Sequence, residues 1–276
     1  FDTDGEFDRK FIVSETMQKR YDITITNAKE FINQCKIQKV NFHPIGVVQA
    51  WSPKSMKKAA KELVSMGYDY IAIGGLVPLD IDTCEEIVNA VREEIGFDIR
   101  MHLLGFAKAK QLERFVKYKI TSFDSTSPMI KSFKDSTQNY LTPEKYYTAI
   151  RIPSSDSTAS LKRKISSGVI DQKTAQTLER KALDTIRAYD KDQATLDETL
   201  NALENYEKIF RDKVPIDRYR DILSTKYWQK CQCEVCQSVK IETIIFRNSN
   251  RNRRRGFHNL WQFQRELEEL KRGHNI

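Results

Sequence analysis

Ile45-Gly46-Val47-Val48-Gln49, Tyr70-Ile71-Ala72-Ile73-Gly74-Gly75, Arg100-Met101-His102-Leu103-Leu104-Gly105 and Ile120-Thr121-Ser122-Phe123-Asp124 are four short, largely apolar runs. Each stops at glycine or a polar residue, and amphipathic stretches of helical character separate them. Ser52-Pro53 opens a helix running to Met66, with serine as cap and proline in the first turn, and Gly67 ends it. Asp82 to Glu94 reads as a second helix and Lys108 to Lys117 as a third, while Asp22 to Cys35 forms one ahead of the first strand. Nearly continuous apolar strands alternating with helices indicate a parallel sheet covered on both faces. The repeat length suits an α/β fold of the (β/α)8 TIM-barrel type, with a doubly wound open sheet as the alternative. Tyr147-Thr148-Ala149-Ile150-Arg151-Ile152 supplies one further strand. Four strands and this fifth fall short of eight, so the N-terminal strands of the barrel are expected to precede Phe1.

Outward from this core the composition changes. Residues 153–227 are expected to form a helical insertion, with apolar stripes at Ala175, Leu178, Ala182 and Ile186 and at Leu196, Leu200, Leu203, Tyr206 and Phe210. Such a hairpin is either a solvated arm or a basic surface that tracks phosphates. Residues 1–152 then make the barrel part and 228–276 a C-terminal metal-binding subdomain with a final helix.

The chain of 276 residues carries a formal charge of +8. A basic balance fits a polyanionic partner but equally a merely soluble protein. No apolar run reaches bilayer length and no secretory signal is visible, so the expectation is a cytoplasmic protein without a membrane partner. Five cysteines, three of them within six residues, argue against a disulfide framework. Cys35 and Cys84 lie in apolar helical patterns and read as core.

Cys231-x-Cys233-x2-Cys236 is followed, after 21 residues, by His258. Three thiolates and one imidazole form the closed tetrahedral set of structural zinc and leave no open position for catalysis. His274 is a weaker candidate ligand. Arg247, Arg251, Arg253, Arg254 and Arg255 crowd the segment before His258. Their forked donors match phosphate oxygens of a nucleic acid, or else pair with acids elsewhere in the fold.

In parallel barrels chemistry gathers at the C-terminal strand ends, which here carry Gln49, Gly74-Gly75, Leu104-Gly105 and Asp124. Singly, each can be an ordinary turn residue. Converging on one rim they suit base recognition: an amide offers a donor and an acceptor to a purine edge, and bare backbone approaches a flat heterocycle. A carboxylate beside a nucleoside can attack the anomeric carbon.

These strand ends, with the Cys-x-Cys-x2-Cys element and His258-Asn259-Leu260, resemble the tRNA-guanine transglycosylase superfamily from about residue 22 to 136 and from about 228 onward. Gln49-Ala50-Trp51-Ser52-Pro53, Phe123-Asp124-Ser125-Thr126-Ser127-Pro128, Tyr147-Thr148-Ala149-Ile150-Arg151 and Arg253-Arg254-Arg255-Gly256-Phe257-His258-Asn259 look like its DNA 7-deazaguanine transglycosylase (DpdA) branch. The Pro-Thr-Arg usual after the aspartate of the tRNA enzymes is absent. The resemblance implies that Asp124 is the nucleophile and that Gln49 reads the base oxygen. Gly74, Gly75 and Leu76 would contact the base through their backbone, and Leu104 and Gly105 would line its face. Zn2+ would sit on the four Cys and His ligands, DNA or alternatively tRNA would be the polymer, and 7-cyano-7-deazaguanine the incoming base. A homodimer or partner proteins are further expectations.

The family's general acid/base, an aspartate in an Asp-Ser-Gly-like motif, has no counterpart here. Its base-selecting aspartate falls near Asp2 or Asp4. The missing motif leads to the expectation that an N-terminal portion lies outside this sequence. It also leaves a second alternative, a non-catalytic zinc-containing nucleic-acid-binding subunit of the same superfamily.

Overall fold

A computed structural model describes residues 15–106, 109–156 and 159–274. Asp2 and Asp4 lie outside the described residues. The chain divides into two compact units, one up to Thr126 and one from Ser127 onward.

Among the described residues the first unit runs α1 (Glu15–Gln38), β1 (Gly46–Val48), α2 (Pro53–Ser65), β2 (Tyr70–Ile73), α3 (Ile81–Ile95), β3 (Arg100–Leu103), a 3-10 segment (Ala109–Tyr118) and β4 (Ser122–Phe123). The strands form one sheet in the order β1-β2-β3-β4, every neighbour parallel. Each strand therefore pairs with the next in sequence, which is the progression of a (β/α) barrel; a doubly wound sheet reverses direction at a switch point. This is a parallel βα run consistent with part of a barrel. Local chemistry agrees with the element boundaries. Ser52 caps α2 in a reciprocal box with Ser55, with Pro53 in the first turn. Asp80 caps α3 by accepting from the Thr83 amide.

Side chains alternate across the sheet. Val48, Ile71, Ile73, Met101 and Leu103 are fully buried together with Met56, Leu63, Ile87, Val88 and Val91 of the helices. The stretch expected as a third helix forms 3-10 turns instead. Its apolar residues Leu112, Phe115 and Tyr118 are buried at a spacing of three, the period of a 3-10 helix, in which side chains at i and i+3 eclipse. Lys108 lies outside the described residues.

The second unit contains α4 (Ser127–Lys134), β5 (Tyr140–Leu141), β6 (Tyr146–Tyr147), β7 (Ile150–Arg151), α5 (Ala159–Ser166), α6 (Gln172–Asp190) and α7 (Leu196–Glu207). There follow α8 (Ile216–Thr225), α9 (Tyr227–Lys230), α10 (Glu234–Val239), a 3-10 turn (Lys240–Ile244), β8 (Ile245–Phe246) and α11 (Ser249–His274). The stretch 147–152, expected as one further strand, is two pieces. β6 closes an antiparallel hairpin with β5, and β7 pairs in parallel with β8. The break falls at Thr148, whose hydroxyl bonds the Thr137 carbonyl, and at Ala149, whose amide bonds the Asn139 side chain. Side-chain bonds thus replace ladder bonds between the two pieces.

The helical insertion forms as its stripes indicate. Ala175, Ala182 and Ile186 of α6 and Leu200, Leu203 and Tyr206 of α7 are buried; Ala182, Ile186 and the three α7 residues share one apolar cluster with Trp228, Ile244 and the three clustered cysteines. Against α4, Gly256 of α11 permits close approach, since a Cβ there would stand 2.3 Å from the Met129 sulfur and 3.0 Å from Ser132 Oγ. Gly256→Val should cost on the order of 1–3 kcal/mol by overpacking. Urea denaturation checks this, and Met129→Ala in the same chain should recover part of the loss.

Candidate functional site

Three hydrogen bonds extend the parallel ladder one step past the strands: Gly74 N to Val48 O at 2.9 Å, Leu104 N to Ile73 O at 3.0 Å and Asp124 N to Leu103 O at 3.3 Å. They bring the strand ends to one rim. A Cβ placed on Gly74 would meet the Val48 carbonyl, a Leu104 methyl and Gln49 Cβ at 3.6–3.9 Å, so these residues are immediate neighbours. Gly75 and Gly105 have φ of 81° and 62°, a region in which side chains are strained, so glycine is required for both turns. Gln49 is exposed and, with Ala50, Trp51, Arg20, Tyr21 and Thr24, lines a cavity of about 320 Å3. Leu76 behaves differently from the others. Its side chain is buried and its carbonyl accepts from the Leu79 amide and the Cys84 thiol.

Among the described residues Asp124 is anchored through one oxygen. Its Oδ1 accepts from the Gly105 amide at 2.9 Å and from His102 Nε2 at 3.1 Å. The Gly105 amide foremost holds the carboxyl below the ordinary aspartate range against the opposing effect of desolvation, and His102 adds a lesser lowering. With Nε2–H donating to a carboxylate, a neutral imidazole accepts at Nδ1. Ser122 Oγ lies there at 2.5 Å and is itself 2.5 Å from the Tyr70 hydroxyl. The row Tyr70–Ser122–His102–Asp124 thus crosses three strands. Sequence reasoning passed over His102, Ser122 and Tyr70. The signal was strand alternation, since His102 shares a face with Leu104 and the register sets it opposite Ser122, two residues before Asp124.

In the second unit Cys231, Cys233, Cys236 and His258 are all buried, with their ligand atoms within 4.8 Å of one another. His258 Nδ1 stands 3.6, 3.3 and 3.4 Å from the three sulfurs in turn. A tetrahedral zinc with its usual bond lengths sets ligand atoms about 3.6 Å apart, so the donor set fits. His258 Nε2 donates to the Leu141 carbonyl at 2.8 Å, which fixes the tautomer that leaves Nδ1 for a metal, and Tyr140 stacks on the ring at 4.4 Å. Without a cation the sulfurs conflict. Hydrogen bonds from Cys231 and Cys236 hold the Cys233 thiol down, whereas Cys231 and Cys233 push the Cys236 thiol up. A divalent ion lets all three be thiolates. These four residues form a structural zinc site. His274 is not part of this cluster.

The five arginines separate. Arg247 pairs with Glu179 and Arg251 with Glu242, while Arg255 is buried and donates to the carbonyls of Ser132, Thr243 and Ile245. Arg253 and Arg254 are exposed. Among the described residues no helix is long and apolar enough to cross a membrane.

A parallel βα run with an anchored carboxylate at its rim and a Cys3His zinc site is the arrangement the resemblance implies. The family model described as queuine tRNA-ribosyltransferase (TGT) matches residues 9–273, and the chain belongs to that family. A DNA-guanine transglycosylase from Salmonella montevideo is 40% identical over 257 residues, which take in 91% of this chain and 61% of that protein. The chain therefore spans about three-fifths of the length of the curated relative it matches.

Two outcomes follow from this geometry. The purified protein should contain about one zinc per chain, and Cys236→Ser should lose it at a cost of several kcal/mol, roughly 10 °C in Tm, read by metal analysis and thermal melting. The Asp124 carboxyl should titrate below the ordinary aspartate range and move upward in His102→Ala, as followed by NMR. Because its pKa is lowered on folding, its contribution to stability is present above the unfolded value and disappears as pH falls through the folded one.

Proposed function

We propose that this chain carries the nucleophile and base-binding rim of a transglycosylase that exchanges guanine in DNA for a 7-deazaguanine, 7-cyano-7-deazaguanine. The observation that supports it most directly is the one-sided anchoring of Asp124. Among the described residues both donors bond Oδ1, so Oδ2 is the oxygen presented to a substrate carbon. A carboxylate kept ionised and fixed by a backbone amide is prepared for attack.

In this reading Asp124 Oδ2 bonds the anomeric carbon as the bond to guanine breaks. The bonding pair leaves with guanine, which takes up one proton. The incoming deazaguanine then displaces Asp124 from the same carbon and gives up one proton, so the exchange is proton-neutral and two inversions restore the configuration. Protonation of the leaving base falls to the family's earlier aspartate motif, which this sequence does not contain. Gln49 and the backbone of Gly74, Gly75 and Leu76 read the base edge, and Leu104 and Gly105 lie against its face. The target nucleotide must leave the stack to reach the rim, at a cost of a few kcal/mol. Arg253 and Arg254 contact the phosphate backbone.

The family model's own description favours tRNA as a second reading. The 40% identity to a DNA-guanine transglycosylase supports DNA. Labelled-guanine exchange into duplex DNA and into tRNA, run side by side, separates the two. Asp124→Ala should abolish the covalent adduct between protein and nucleic acid while zinc content stays unchanged. Exchange retained in that variant would remove the nucleophile assignment, and an unaltered chain that binds nucleic acid but forms no adduct would favour the non-catalytic alternative.

A further inference from the structure

The second unit holds a cleft of about 750 Å3 that neither the zinc site nor the strand-end rim accounts for. Its walls come from the end of α4, the stretch joining β6 to β7, the loop between α7 and α8, and β8. Lys134, Arg151, Arg211, Lys213 and Arg218 line it against two carboxylates, Asp135 and Asp217.

Among the described residues one of the five cations forms an ion pair with an acid, and a second, Arg151, acts through space on the same carboxylate, Glu207. Arg211 pairs with Glu207, which is itself fully buried. Lys134, Arg151, Lys213 and Arg218 are exposed, and among the described residues their side chains make no hydrogen bond or ion pair. Asp135 does not compensate them. It is turned onto its own loop, accepting from the amides of Thr137 at 2.8 Å and Gln138 at 2.9 Å. The ring of Phe246, half-buried, lines the same space.

A protein of positive net charge has basic residues over much of its surface, so the comparison that matters is with another concavity of the same unit. The depression between α6 and α7 is lined by a single lysine, Lys181, together with Asp184 and Glu198. The first cleft therefore carries more cation than this depression does. Unpaired like charges converging on one concavity repel each other, and a polyanion relieves that repulsion while releasing its own counterions. Arginine forks bond phosphate oxygens in pairs.

We propose that this cleft binds the sugar–phosphate backbone of DNA, as a non-sequence-specific contact distinct from the base-exchange residues. The proposal rests on the nucleic-acid reading given above and assigns it a surface. Arg151, Lys213 and Arg218 take phosphates, and Arg211, anchored by Glu207, gives the cleft a fixed charge.

The test is equilibrium binding of a short fluorescein-labelled DNA duplex to the full chain across a range of salt concentrations. Arg151→Glu with Arg218→Glu should weaken binding by about 100-fold at low salt and reduce the salt slope by about two. Arg151→Lys with Arg218→Lys should retain most of the affinity. Lys173→Glu with Lys181→Glu, which changes the net charge equally on another face of the unit, should alter binding by no more than about threefold. Zinc content and Tm identify any variant that has failed to fold, and Arg151→Gln with Arg218→Gln, which removes the two charges without adding carboxylates, then decides: its salt slope should fall by about two, and an unchanged slope overturns the assignment. Binding and slope unchanged in the glutamate pair, while the unaltered chain binds DNA, overturn the cleft assignment and leave the transglycosylase reading intact. An unaltered chain that binds no DNA overturns both.

Discussion

In a parallel ladder the pairing register decides which residues stand level with one another, and the two-residue period decides which of them share a face. The bond from the Asp124 amide to the Leu103 carbonyl is where this constraint has most effect. It sets Asp124 one step beyond β4, on the face that already carries His102 and Ser122. From there the carboxylate meets the Gly105 amide, which the left-handed turn at Gly105 directs toward it. A slip of one residue in β4 would carry Asp124 to the opposite face, where Met101 and Leu103 are buried among helices. The anchoring of the carboxylate and its lowered pKa both follow from that register.

The row from Tyr70 through Ser122 and His102 to Asp124 has a mechanical consequence. Each member sits on a different strand from the next, so the orientation of the imidazole is set by three strands at once. A carboxylate bonded to such a ring loses rotational freedom before any substrate arrives, which is the entropic part of catalytic positioning.

The second unit is organised around a different device. Its four metal ligands come from the segment around α10 and from α11, so the metal joins two segments separated by 21 residues. The Leu141 backbone is bound twice, by His258 Nε2 at its carbonyl and by Asn259 Oδ1 at its amide. Asn259 also donates to the carbonyls of Pro128 and Asn139. The metal cluster therefore also ties α11 to the β5–β6 hairpin and to the start of α4. Arg247, Arg251 and Arg255 add to that framework from within, which is why the basic segment is less available to phosphates than its composition implies.

Much of this was legible from residues alone. Strand runs ending in glycine, caps such as Ser52 and Asp80, and the spacing of Cys231, Cys233, Cys236 and His258 are local signals, because turn chemistry and metal coordination constrain residues close in the chain. What sequence could not supply was any relation between residues that only folding brings together. The pairing of Arg247 with Glu179 spans 68 positions, and nothing local distinguishes such an arginine from Arg253. Thr148 and Ala149 lie in an apolar run that reads as strand, yet side-chain bonds from elsewhere divide it. His102 looked like one more strand residue until the register placed it beside Asp124. The sequence by itself determined the kinds of elements, their order and the ligand set, since these depend on short-range sterics and chemistry. Tertiary structure alone decided which oxygen of Asp124 is bound, which arginines are engaged and where unpaired cations gather, because charges and hydrogen bonds act through space without regard to distance along the chain.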